Sequence, residues 1–144
     1  MNWGMIGAGL VMGIAAVGSS IGIGIAGQGA IGAWKRCYLN NKQAPFLLVV
    51  FAGAPLTQTI YGFLLMNSMK GKLAAGTMEP LFALGLGIAA GLAMCMSAVA
   101  QGKAGAAGSD ALAETGKGFT NYIMVVGLCE TVALFAMVFG MIQC

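Results

Sequence analysis

Glu130 is the only charged residue in FTNYIMVVGLCETVALFAMVFGMI (119–142), a run long enough to cross a bilayer. A lone ionised carboxylate taken out of water neutralises or finds a partner, and inside a membrane segment it marks function by default. Its partners must be sought among the polar side chains at the same depth. APLTQTIY (54–61) places Thr57 and Tyr61 four apart on one helical face, with Gln58 adjacent. Pro55 in that stretch has no N–H for the Phe51 carbonyl and bends the helix, which frees oxygen acceptors. SAVAQGK (97–103) adds Gln101, and Thr131 follows Glu130. These groups are all oxygen donors with one negative charge and no soft ligand, a set suited to a hard cation. A single carboxylate favours Na+ or a proton, because divalent ions recruit more carboxylates. Singly, Thr57 reads as a back-bonding hydroxyl, Tyr61 as an interface anchor and Gln101 as helix glue. Together with Glu130 they read as an ion site.

The elements that must position them are membrane helices. Hydrophobic residues make up 59% of the 144 and charged ones 8%, against roughly 25% charged in soluble domains. Mean hydropathy is +0.89. Lipid demands that the backbone satisfy itself, so long apolar runs are helices. The expected spans are 3–33, 45–69, 80–102 and 119–143, the first read as a helix because no positive segment precedes it. They form an all-α membrane protein of two parallel tandem hairpins, 1–72 and 73–144. WKRCYLNNKQ (34–43), KGKLAAGTME (70–79) and KAGAAGSDALAETGKG (103–118) are expected as connections. They hold every charge except Glu130. Lys35, Arg36, Lys42, Lys103 and Lys117 on one side outnumber Lys70 and Lys72 on the other, which places 34–43 and 103–118 in the cytoplasm and the termini outside.

The composition also excludes functions. There is no histidine, so the commonest metal ligand and general base is missing. The dispersed basic residues form no nucleic-acid surface. Cys37, Cys95, Cys129 and Cys144 lack CxxC spacing and read as small hydrophobes rather than disulfide or zinc ligands. GIGIAG (22–27) and GQGAIG (27–32) match GxGxxG, but they lie within a continuous membrane helix and not between a strand and a helix, so no dinucleotide site is expected. No cofactor is implied.

Glycine crowds the first span, at positions 4, 7, 9, 13, 18, 22, 24, 27, 29 and 32, and recurs in the third at 85, 87, 91 and 102. Gly9/Gly13, Gly18/Gly22 and Gly87/Gly91 have the spacing that brings helix backbones close. The halves repeat: QTIYGFLLM (58–66) falls on ETVALFAMV (130–138), and GIAGQGAIG (24–32) falls less closely on VAQGKAGAA (99–107). Gln58 therefore stands where the second half has Glu130.

PLTQTIYGF (55–63), AQGKAGAAG (100–108) and LCETVALF (128–135) on a duplicated four-helix chain resemble the proteolipid K or c subunit of V-type rotary ATPases, and most closely its sodium-translocating bacterial branch. The resemblance implies Glu130 as the essential carboxylate and Thr57, Gln58 and Gln101 as side-chain ligands of Na+. It also implies the backbone carbonyl of Ala54 as a ligand, in preference to that of Phe51, and Tyr61 as a hydrogen-bond donor that locks Glu130. Leu56 and Thr59 stand where glycine is familiar in that family. The family implies a multi-pass protein of the bacterial plasma membrane that forms a homo-oligomeric ring with the glycine-rich helices inside. It further implies a membrane stator with an essential Arg, a central stalk meeting the cytoplasmic connections, and ATP hydrolysis on other subunits. A proton-carrying ring of the same architecture is the nearest alternative. A small four-helix multidrug/proton antiporter fits the parallel hairpins poorly, and a purely structural pore leaves Glu130 without a role.

Overall fold

The computed structural model describes residues 2–144. The helices are α1 (Trp3–Leu39), α2 (Leu48–Gly53), α3 (Thr57–Ala74), α4 (Pro80–Thr115) and α5 (Phe119–Gln143). A 3-10 turn at Ala54–Leu56 joins α2 to α3, so the two form a single bent span. The described residues thus hold four helical spans long and apolar enough to cross a membrane, paired as two hairpins.

The bend has its cause in Pro55, which cannot donate to the carbonyl four residues earlier. The chain tightens locally, and Thr57 donates its N–H to the Ala54 carbonyl. Other ends are set by conventional caps. Asn2 accepts the Met5 N–H at 3.2 Å at the start of α1, and Glu79 accepts the Phe82 N–H at 2.6 Å at the start of α4. Gly116 (φ +67°) ends α4 in the left-handed region and Gly118 (φ +89°) precedes α5, conformations that residues with a Cβ resist.

Four expected boundaries are corrected, the first being the start of the second span, at Leu48 rather than 45. The first helix runs to Leu39 rather than 33, and the bent second span to Ala74 rather than 69. The third runs to Thr115 rather than 102, leaving only 116–118 as the turn. KAGAAGSDALAET has the Gly, Ser and charges of a loop, yet Gly105, Gly108, Ser109, Leu112 and Ala113 are buried at helical spacing. Ala30, Ala33 and Cys37 of α1 join Leu112 and Ala113 in one apolar cluster. Tertiary packing has overridden local propensity.

At 37 and 36 residues, α1 and α4 are each about 55 Å long, well beyond a hydrocarbon core of roughly 30 Å. Their extensions leave on the same side, where Arg36 pairs with Asp110 and lies 3.7 Å from Glu114.

α1 and α4 pack in parallel, almost backbone to backbone. A Cβ added to Gly87 would fall on the Gly7 carbonyl, one on Gly102 on the Gly22 carbonyl and one on Gly18 on the Cys95 backbone. Gly91 faces Val11 and Ile14, and Gly105 faces Ala26. The bent span packs against both, with Gly62 against Ala15 and Met12, and Pro55 against Gly22. α5 completes the bundle against α4 and α3.

One face of α1 remains open. Gly9, Gly13, Gly24 and Gly27 have the spacing of Gly87, Gly91, Gly102 and Gly105, 78 residues earlier, and nothing lies within 4 Å of where their Cβ atoms would be. Gly24 thus corresponds to Gly102, which moves the upstream repeat by three residues from the pairing of 24–32 with 99–107.

Candidate ion-binding site

Glu130 lies about 17 Å along α5 from its start and about 20 Å from its end, at ~1.5 Å per residue, and so at mid-membrane depth. It is half-buried. Leu128, Val132 and Phe135 beside it are exposed apolar side chains. The carboxylate therefore sits at the edge of the protomer, closed on one side by protein.

That closed side brings together the residues named from the sequence. Tyr61 of α3 donates its hydroxyl to Glu130 Oε1 at 2.6 Å. Gln101 of α4 donates Nε2 to Glu130 Oε2 at 3.1 Å and to the Val126 carbonyl at 3.1 Å. Gln58 donates Nε2 to Gln101 Oε1 at 2.8 Å. Thr57 Oγ1 lies 3.2 Å from the Ala54 carbonyl and 3.3 Å from Gln58 Oε1. The hydroxyl proton serves these two acceptors, and the three oxygens form a cluster at the bend. Gln58 and Gln101 are both fully buried, where an unpaired polar group is especially costly.

Each element contributes for a local reason. The proline-induced turn holds the Ala54 carbonyl and Thr57 hydroxyl together. One further turn along α3 sets Tyr61 beside α5. The glycine contacts between α1 and α4 let α4 sit deep enough for Gln101 to reach both neighbours. The Phe51 carbonyl, the acceptor that Pro55 leaves without a helical N–H, faces Gly105, one turn beyond Gln101. Thr131 turns back on its own helix, donating to the Leu128 carbonyl at 2.7 Å.

Ser97 is a member of the network that the sequence does not single out. Its hydroxyl donates to the Cys129 carbonyl at 2.6 Å and accepts from Gln58 Nε2 at 3.3 Å. The available signal is its position four residues before Gln101, which puts both on one face of α4.

The geometry also changes the meaning of the repeat. Gln58 and Glu130, equivalent positions in the two halves, meet through Gln101 in one network rather than marking two separate sites.

A family model described as the C subunit of ATP synthase matches residues 6–67 and again 84–143. The K subunit of the A-type ATP synthase of Methanocaldococcus jannaschii is 37% identical over 139 residues, which is 96% of this chain. The chain spans about 60% of the length of this curated relative. Neither description names an ion.

Proposed function

Because the chain belongs to the family of ATP synthase C subunits, we propose that it is the proteolipid rotor subunit of a V/A-type rotary ATPase or ATP synthase, and that it carries Na+ on Glu130. One observation carries the reading: a single mid-membrane carboxylate is held by side chains from two other helices, next to a cluster of part-buried oxygens. Glu130, Gln101, Gln58, Thr57 and the Ala54 carbonyl supply oxygens for the cation, and Tyr61 secures the carboxylate. Binding neutralises Glu130, which allows it to face lipid as the rotor turns. At the stator, an Arg of the partner protein displaces the cation into an exit path. This chain performs no ATP chemistry, which belongs to soluble subunits.

Support for a ring comes from the repeat within α1 and α4. The grooves of α4 at Gly87, Gly91, Gly102 and Gly105 already receive α1 of the same chain. The matching groove of α1 is open, and Gly85, Ala89, Leu92, Met96 and Ala100 form an exposed face of α4. These face residues repeat Gly7, Val11, Ile14, Gly18 and Gly22, whose side of α1 fills the α4 groove. A second copy docks its α4 face on the α1 groove, and such head-to-tail contacts close into rings. This arrangement puts α1 and α4 inside and the bent span and α5 outside. The central stalk then meets helical extensions ending at Leu39 and Thr115, with Tyr38, Leu39 and Phe46 exposed, rather than two floppy loops. The membrane is the cell membrane, with these extensions on the cytoplasmic side.

The proton reading draws on Tyr61, whose hydroxyl can turn to accept the proton of a neutral Glu130 while Gln101 Nε2 donates to the other oxygen, because a proton carrier needs only the carboxylate. Carbodiimide labelling of Glu130 in the purified ring separates the two. Under the sodium reading Na+ slows labelling, and Gln101→Leu removes that protection. Labelling indifferent to Na+ assigns the ring to protons.

A further inference from the structure

We propose that Ser97 is a positioning residue that determines which end of the Gln58 amide meets Thr57 and Ala54. Ser97 is 5% exposed. Its oxygen lies 2.6 Å from the Cys129 carbonyl, a group that only accepts, so the hydroxyl proton is committed there. Ser97 can then show α3 only a lone pair. Gln58 must answer with Nε2, 3.3 Å away.

The same orientation arrives by a second route. The Val126 carbonyl takes Gln101 Nε2, which turns Gln101 Oε1 to Gln58 and again demands Nε2 from it. Two backbone carbonyls of α5 thus orient both amides across the bundle. Gln58 Oε1 is left facing Thr57 at the oxygen cluster. With no acceptor at position 97, one of the two constraints vanishes. A rotated Gln58 amide would put N–H groups where a cation requires oxygen.

The molecule contains its own control. Ser19 precedes Ser97 by 78 residues, the interval that relates the glycine grooves. It lies on α1 between the Ala15–Gly62 and Gly22–Pro55 contacts, opposite the Gln58 stretch. It is 3% exposed, and its hydroxyl has no hydrogen-bond partner among the described residues. Losing an unpartnered buried hydroxyl costs nothing in hydrogen bonding.

The test uses intact rings and has two arms, of which only the second rests on the sodium reading. In the first, rings labelled with 15N-glutamine report the side-chain amide of Gln58, assigned through Gln58→Leu. Ser97→Ala is expected to shift that signal and speed its hydrogen exchange. Ser97→Thr restores it, and Ser19→Ala leaves it in place. In the second arm, the Na+ concentration that half-protects Glu130 from carbodiimide rises about five- to tenfold in Ser97→Ala, the scale of one hydrogen bond. Ser97→Thr again rescues. Ser97→Cys, a near-isostere with a weak acceptor, carries both arms if the alanine ring does not assemble. An unchanged Gln58 signal in Ser97→Ala, or a change that Ser97→Thr fails to reverse, overturns the proposal. Wild-type labelling that ignores Na+ overturns the sodium reading instead, and the amide signal still decides the role of Ser97.

Discussion

Glu130 accepts from Tyr61 and Gln101, on two different helices, so the carboxylate joins chemistry to packing. Glu130→Gln keeps an acceptor oxygen while removing the charge. The ring should still assemble, as native mass spectrometry would record, but neither label with carbodiimide nor support ion transport. Tyr61→Phe removes one charge-assisted hydrogen bond, worth about 1.5–3 kcal/mol. Under the sodium reading the half-protecting Na+ concentration should rise at least about tenfold; an unchanged value would remove Tyr61 from the site. At this scale sequence is informative where a residue type is costly. A membrane glutamate and two glutamines are unusual enough to stand out, and helical spacing groups Thr57 with Tyr61. Ser97 does not stand out because serine is at home in membrane helices. Its role depends on where its one proton goes, and that depends on a carbonyl of another helix.

At the scale of elements, the glycines divide into two functional groups that composition alone cannot separate. Gly87 is filled within the chain by the Gly7 carbonyl, whereas Gly13 faces open space. Gly87→Leu should disrupt the protomer itself, giving low yield and a lost thermal transition. Gly13→Leu should leave a helical protomer of ordinary stability in detergent that no longer forms rings. If both variants behave alike, the inner-face assignment is wrong. Helix number and type are legible from hydropathy, and so are the limits of α5. The ends of α1 and α4 are not, because Gly, Ser and Lys are loop residues by local preference and become helical only through each other's packing. The proline bend is legible too, but the choice between the Phe51 and Ala54 carbonyls needs the 3-10 turn, which sets Ala54 beside Thr57.

For the whole molecule, the duplication repeats one groove, which is filled within the chain at α4 and, in the proposed ring, receives the next copy at α1. The protomer is a bundle with a groove at one side and the complementary face at the other. The long extensions of α1 and α4 leave together, with Arg36 paired to Asp110 and near Glu114. These pairs are largely solvent-exposed and stabilise by less than about 1 kcal/mol. The burial of small residues along both helices holds the extensions together.

The open groove of α1 has a statistical consequence. A copy carrying Gly13→Leu still offers a sound α4 face, so it joins a growing arc and then blocks it. One such copy anywhere prevents closure. If wild-type and variant chains are co-expressed with variant fraction f, intact rings should fall as (1 − f) raised to the number of copies. The slope of log ring yield against log (1 − f) therefore counts the protomers, without resolving a single ring. A slope of one would mean that copies do not depend on one another for closure, and the groove would have no neighbour to receive.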